Sequence, residues 1–219
     1  MGQILDRLAH EMQHHIPFTI FGAITGILLM SILIIWDQLG VVSSVSEQVF
    51  YILHPAHVFL SAIVTTTIFL KYQKRSIWIV VLVGYVGSIG IATVSDSLIP
   101  YIGEVLLGLP NTGLHIGFIE EPLLTNPPAF IGIILAIWRG TTTFPHAGHV
   151  LISTWASLFH IIMALGSTVS VVQMVGIFVF LFFAVWIPCC ASDIWFPLVF
   201  PSSDKSEETS VSTGKPKVP

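Results

Sequence analysis

The chain has 219 residues, 54% of them hydrophobic and 9% charged, with a mean hydropathy of +0.88. A soluble domain carries about 25% charged residues, so the bulk of this chain belongs in lipid. A net charge of −4 gives no electrostatic case for nucleic acid. Two adjacent cysteines, Cys189 and Cys190, offer no disulfide framework.

In chain order, residues 1–16 place Leu5, Leu8, Ala9 and Met12 among polar neighbours, which predicts a short amphipathic helix at the membrane interface. Residues 17–36 form the first apolar run long enough to span. It lacks a basic leader and a small-residue cleavage site, so it reads as retained. Residues 37–47 read as a polar connection, 49–70 as a second span, and 71–75 as a basic loop. A third span is expected from Ile77 to about Ile99, ending near Pro100, with a polar-edged segment over 101–126. Residues 128–138 make a short fourth span, 146–165 a fifth and 171–187 a sixth, with a break expected at Pro188. Residues 201–219 are rich in Ser, Lys, Glu and Pro and read as a disordered tail.

With the amino terminus in the cytoplasm, Arg7, Lys71, Lys74, Arg75, Arg139, Lys205, Lys215 and Lys217 all fall on the inner side. Those are all 8 basic residues, as the positive-inside rule expects. The fold class is therefore an all-α polytopic membrane protein with six transmembrane helices and both termini cytoplasmic.

The pattern His-x-x-His-Val-x-x-Ser occurs at His54–Ser61 and again at His146–Ser153. Two other patterns recur in the same order. Ser95-Asp96-x-x-x-Pro100 returns as Ser192-Asp193-x-x-x-Pro197, and His10, His15 and Pro17 are echoed by His115, Glu120 and Pro122. Ordered matches of polar residues in so apolar a chain point to an internal duplication. Residues 17–110 would be the first three-helix unit and 111–200 the second. Three spans per unit invert the second copy, the 3+3 arrangement of many secondary transporters, whose sites lie where the repeats meet.

That inversion sorts the candidate ligands into two clusters. His54, His57, Asp96, His115 and Glu120 are expected toward the outer face, and His146, His149, Asp193, His10 and His15 toward the inner face. From His57 to Leu70 is about 20 Å of helix, which sets the first pair roughly 10 Å inside a core about 30 Å thick. Ionisable groups at that depth cost several kcal/mol, need partners, and mark ion or proton pathways. His-x-x-His puts two imidazoles on one helix face. Mixed nitrogen and oxygen donors suit a divalent ion such as Zn, Mn, Fe, Co or Ni without choosing among them.

Structural uses of the same residues compete with these roles. Ser-Asp before a proline commonly caps helices, Glu120 and Glu121 are solvated carboxylates by default, and His160 reads as a hydrogen-bonded core histidine. His10-Glu11-Met12-Gln13-His14 fits the zincin signature, but the duplicate has isoleucine at the positions matching Glu11 and His14, so a protease is disfavoured. The sequence reads as a multi-pass permease of the cell membrane, moving a divalent transition metal or a proton-coupled small solute. Its expected partners are the lipid bilayer and its cargo, with homo-oligomerisation left open. The rivals are an intramembrane metalloenzyme and a structural subunit of a membrane complex.

Overall fold

The computed structural model describes the backbone of residues 2–72, 76–139, 143–166 and 168–199, and the side chains of residues 13, 16–71, 76–139, 147–166 and 168–189. Every regular element among the described residues is helical. Helix α1 (Gly2–Ile35) takes in both the expected interfacial segment and the first span, running on through Pro17. It ends where Asp37 adopts a left-handed conformation, φ 54°. The Gln38 amide then reaches the Leu33 carbonyl at 2.8 Å and the Asp37 amide reaches Ile34 at 3.1 Å. This is a Schellman stop with aspartate in place of the usual glycine. The chain reverses within three residues, and α2 (Leu39–Tyr72) begins at once. The expected polar connection over 37–47 is therefore mostly helix, and His54 and His57 sit near the middle of a 34-residue helix.

The third span also departs from expectation. Helix α3 (Ile77–Thr93) passes into a π-helical segment (Val94–Leu98) and on into α4 (Ile99–Leu106), which carries Pro100 in its first turn. Proline ends a helix only when its missing N–H and its ring cannot be accommodated. In a π turn the carbonyl at 95 would look to the amide at 100, which proline lacks. The Ser157 hydroxyl from the neighbouring helix donates to the Ser95 carbonyl instead, at 3.0 Å. The true stop is Gly108, φ 62°. There the Leu109 amide bonds the Glu104 carbonyl at 3.0 Å and the Gly108 amide bonds Val105 at 3.2 Å, a second Schellman motif.

A loop leads to the short α5 (Gly117–Glu120) and then to α6 (Pro122–Arg139), α7 (Thr143–Ala164) and α8 (Val171–Val199). α8 runs through Pro188 without the expected break. Among the described residues five segments are long and apolar enough to cross a membrane: Ile16–Ile35, Leu39–Lys71, Ile77–Leu106, Ala147–Ala164 and Val171–Cys189. They make this a multi-pass membrane protein. The helix at the expected fourth span, α6, is 18 residues long, begins at Pro122 rather than at 128, and is not among the five.

The distribution of polarity is that of a chain folded for lipid. Ile35, Trp78, Leu123 and Val172 are more than three-quarters exposed, whereas His54, His57, Ser95, Asp96, Glu104, Ser153 and His160 are buried. In hydrocarbon an outward polar group has no partner, so polar side chains turn to the bundle interior. α2 is the central helix, packed against α7, α6 and α3, while α1 and α8 close the far side. Gly132 sets the α2–α6 distance, because a Cβ there would lie 2.5 Å from the Phe59 carbonyl oxygen.

Candidate functional site

His54 and His57 stand one turn apart on α2, and both are fully buried. Opposite them is Asp96, in the π segment of the third span. A π turn adds one residue to the helix and so rotates the residues beyond it by about 100°. Asp96 is fully buried there, bonded to α2 through one oxygen and to α7 through the other. Its Oδ2 accepts from His54 Nδ1 at 3.0 Å and from His57 Nδ1 at 2.8 Å. Its Oδ1 accepts from the Ser95 and Ser153 hydroxyls, each at 2.7 Å. A carboxylate has about four lone-pair sites, so this one is saturated.

Those bonds assign the imidazole tautomers. With Nδ1–H given to Asp96, the Nε2 of each neutral ring carries a lone pair, and both Nε2 atoms are buried with no hydrogen-bond partner. When both rings are neutral, the triad carries one net negative charge and two open bases. The same carboxylate–imidazole arrangement orients histidines that bind metals. Gly117, at the start of α5, closes over His54. A Cβ there would lie 2.5 Å from His54 Cδ2 and 2.8 Å from Nε2.

His149 on α7 lies flat against His57, with ring centroids 5.9 Å apart and planes 8° from parallel. These two are the corresponding second histidines of the duplicated motif. An inverted repeat with one cluster per face separates them, and the structure puts them side by side. Ser153, from the second copy, likewise bonds the aspartate of the first.

His115 and Glu120, expected in the same cluster as the triad, form a separate layer. His115 Nδ1 pairs with Glu120 Oε2 at 3.2 Å, both part-exposed, and the Tyr51 hydroxyl donates to that same Glu120 oxygen. Deeper in, His160 Nδ1 meets Glu104 Oε1 at 2.6 Å, with both side chains buried. Phe50 divides the layers, stacked on His54 at 5.2 Å and edge-on to His160 at 5.3 Å. Sequence reasoning missed Glu104, because a third span ending near Pro100 leaves position 104 in a solvated loop. The Gly108 stop was the signal that could have brought it into the helix.

The side chains of His10, His15, His146 and Asp193 lie outside the described residues, as do those of the zincin-like segment other than Gln13. Among the described residues no group of three or more His, Cys, Asp or Glu side chains converges as a metal-binding set. The two open Nε2 atoms fit a cation in chemistry. Asp96, expected as a ligand, has its oxygens occupied and orients the imidazoles instead. Comparison with family models, curated proteins and solved structures returns no match.

Proposed function

We propose that this protein is a multi-pass permease that moves a cation across the cell membrane through the His54/His57/Asp96 triad. The cation is a proton coupled to a small solute, or a divalent transition metal. The observation that carries the reading is the pair of unpartnered Nε2 atoms beside a saturated, buried carboxylate. A lone negative charge in the middle of a membrane is costly. One proton on either Nε2 makes the triad neutral, so the site has affinity for single charges and a reason to hand them on. A divalent ion bound at both Nε2 atoms would leave the site with one positive charge and displace any proton there, which couples metal to proton.

Three further features support transport over catalysis. α6 spans about 27 Å at 1.5 Å per residue, enough to serve as a sixth crossing and complete two inverted three-helix units with both termini inside. His57 and His149, equivalent in the duplication, meet at the bundle centre, as residues on a pseudo-twofold axis in the membrane plane must. The π segment beside Asp96 interrupts the third span, and interrupted helices build the sites of many transporters. Rocking of one unit against the other about this point would expose the triad to each face in turn.

The test is flux in proteoliposomes loaded with a pH dye and a metal-sensitive dye, driven by an imposed pH gradient or external Mn²⁺ or Zn²⁺. The wild-type protein should move protons, alone or against metal, and Asp96→Asn should lose that flux while keeping its gel-filtration profile. Wild-type flux in Asp96→Asn sinks the proposal.

A further inference from the structure

The pair Glu104–His160 is unused by the proposed transport site, and its hydrogen bonds are of a different kind. His160 uses both ring nitrogens. Nδ1 donates to Glu104, and Nε2 accepts the backbone N–H of His115 at 3.5 Å. Glu104 uses both oxygens, Oε1 for His160 and Oε2 for the backbone N–H of Gly113 at 3.3 Å. The two side chains therefore hold residues 107–116 down onto the bundle at Gly113 and His115. The Asn111 amide pins the same loop to the Ala164 carbonyl at 3.1 Å. The loop runs directly into Gly117, the residue closing over His54.

We propose that Glu104–His160 is a second protonation site and that it works as a latch on the outer loop. The bond to His115 requires a lone pair on Nε2, so it exists only while His160 is neutral. A proton added at Nε2 turns the acceptor into a donor facing another donor, the His115 N–H. That bond must break, while the resulting imidazolium is stabilised by the Glu104 carboxylate through Nδ1. The loop is still held at Leu107 by Gln173, at Leu109 by the core, and at Asn111 and Gly113, but its tie at His115 is gone and Gly117 is free to lift from His54. The groups that face His160 are Glu104 from α4, His115 from the loop and Phe50 from α2, with Glu120 bonded to His115. Of these only Glu104 bonds the ring through a charged side chain.

A proton at Nε2 is all that opening requires, so the latch responds to acidification on the side of the loop. Its role as a gate to the triad rests on the permease reading. The latch itself does not, and the experiment separates the two.

The experiment is hydrogen–deuterium exchange on the full chain in lipid nanodiscs, following peptides that cover residues 107–121. Rates are corrected for the intrinsic pH dependence of exchange. Between about pH 7.5 and about pH 5.5, wild-type protection in this segment should fall about tenfold, a change of about 1.4 kcal/mol. His160→Gln supplies a carbonyl oxygen that accepts the His115 N–H and does not titrate, so its protection should be the same at both pH values. Glu104→Gln places an NH2 against either the Gly113 N–H or His160 Nδ1–H, so its loop should be exposed at both. His115→Gln keeps the backbone N–H and should retain the wild-type response. Asp96→Asn should also retain it while losing flux. Wild-type protection that is flat with pH overturns the latch. So does a His160→Gln response equal to wild type, or a Glu104→Gln loop as protected as wild type.

Discussion

The His54/His57/Asp96 triad and the Glu104–His160 pair use the same chemistry to opposite effect. Both set imidazole Nδ1 atoms against a buried carboxylate. In the Glu104–His160 pair every side-chain polar atom is bonded, and two of those bonds go to a loop backbone. In the triad the carboxylate is saturated but both Nε2 atoms are left over. Buried polar groups are nearly always satisfied, and the two open nitrogens are where the proposed cation would bind. The difference also lies in the scaffold. The triad is held between long packed helices, whereas two of the pair's partners sit on the backbone of a loop.

Removing each carboxylate tests that contrast. Asp96→Ala strands two imidazoles and two hydroxyls among packed helices with no water to replace the anion. We expect a loss of about 3–5 kcal/mol, seen as a large drop in thermal midpoint in nanodiscs. Glu104→Ala should cost less, about 1–3 kcal/mol, because the loop can detach and solvent can take over its bonds. Equal losses would erase the distinction between the two sites.

A smaller effect is expected at the π segment. Ser157→Ala leaves the Ser95 carbonyl without its donor and should cost about 1 kcal/mol. Adding Pro100→Ala restores an amide at the position from which a π turn is closed. The double variant should therefore recover most of that loss. Simple additivity in the double-mutant cycle would show that Ser157 does not stand in for the missing proline N–H.

Much of this was legible in the residues. The apolar runs located the long helices, and His-x-x-His with Ser-Asp located the triad, because ionisable groups in so apolar a chain have few uses. The places where reading failed share a cause. Pro17, Pro100 and Pro188 look like helix ends, but in this bundle α1, α4 and α8 run through them. For Pro100 a hydroxyl on α7, far away in sequence, makes this possible. Asp37 as a helix stop is equally invisible, since its left-handed conformation leaves no compositional trace. Placing Pro100 as a terminus hid Glu104, and with it the partner of His160. The assignment of His149 to the far face failed for another reason. The spacing of a motif does not say which helices pack together, and α2 lies against α7, which brings the His57 and His149 rings together.

The most direct test of the open bases is ¹⁵N NMR of histidine-labelled protein in nanodiscs, with His54 and His57 assigned by single substitution. Both rings should be in the Nδ1–H form at neutral pH, with Nε2 resonances at the position of an unprotonated nitrogen. Those resonances should move on acidification or on addition of Zn²⁺, and Asp96→Asn should scramble the tautomers. Nε2 signals that stay fixed under both titrations would mean that nothing binds there, and that the triad is a structural knot.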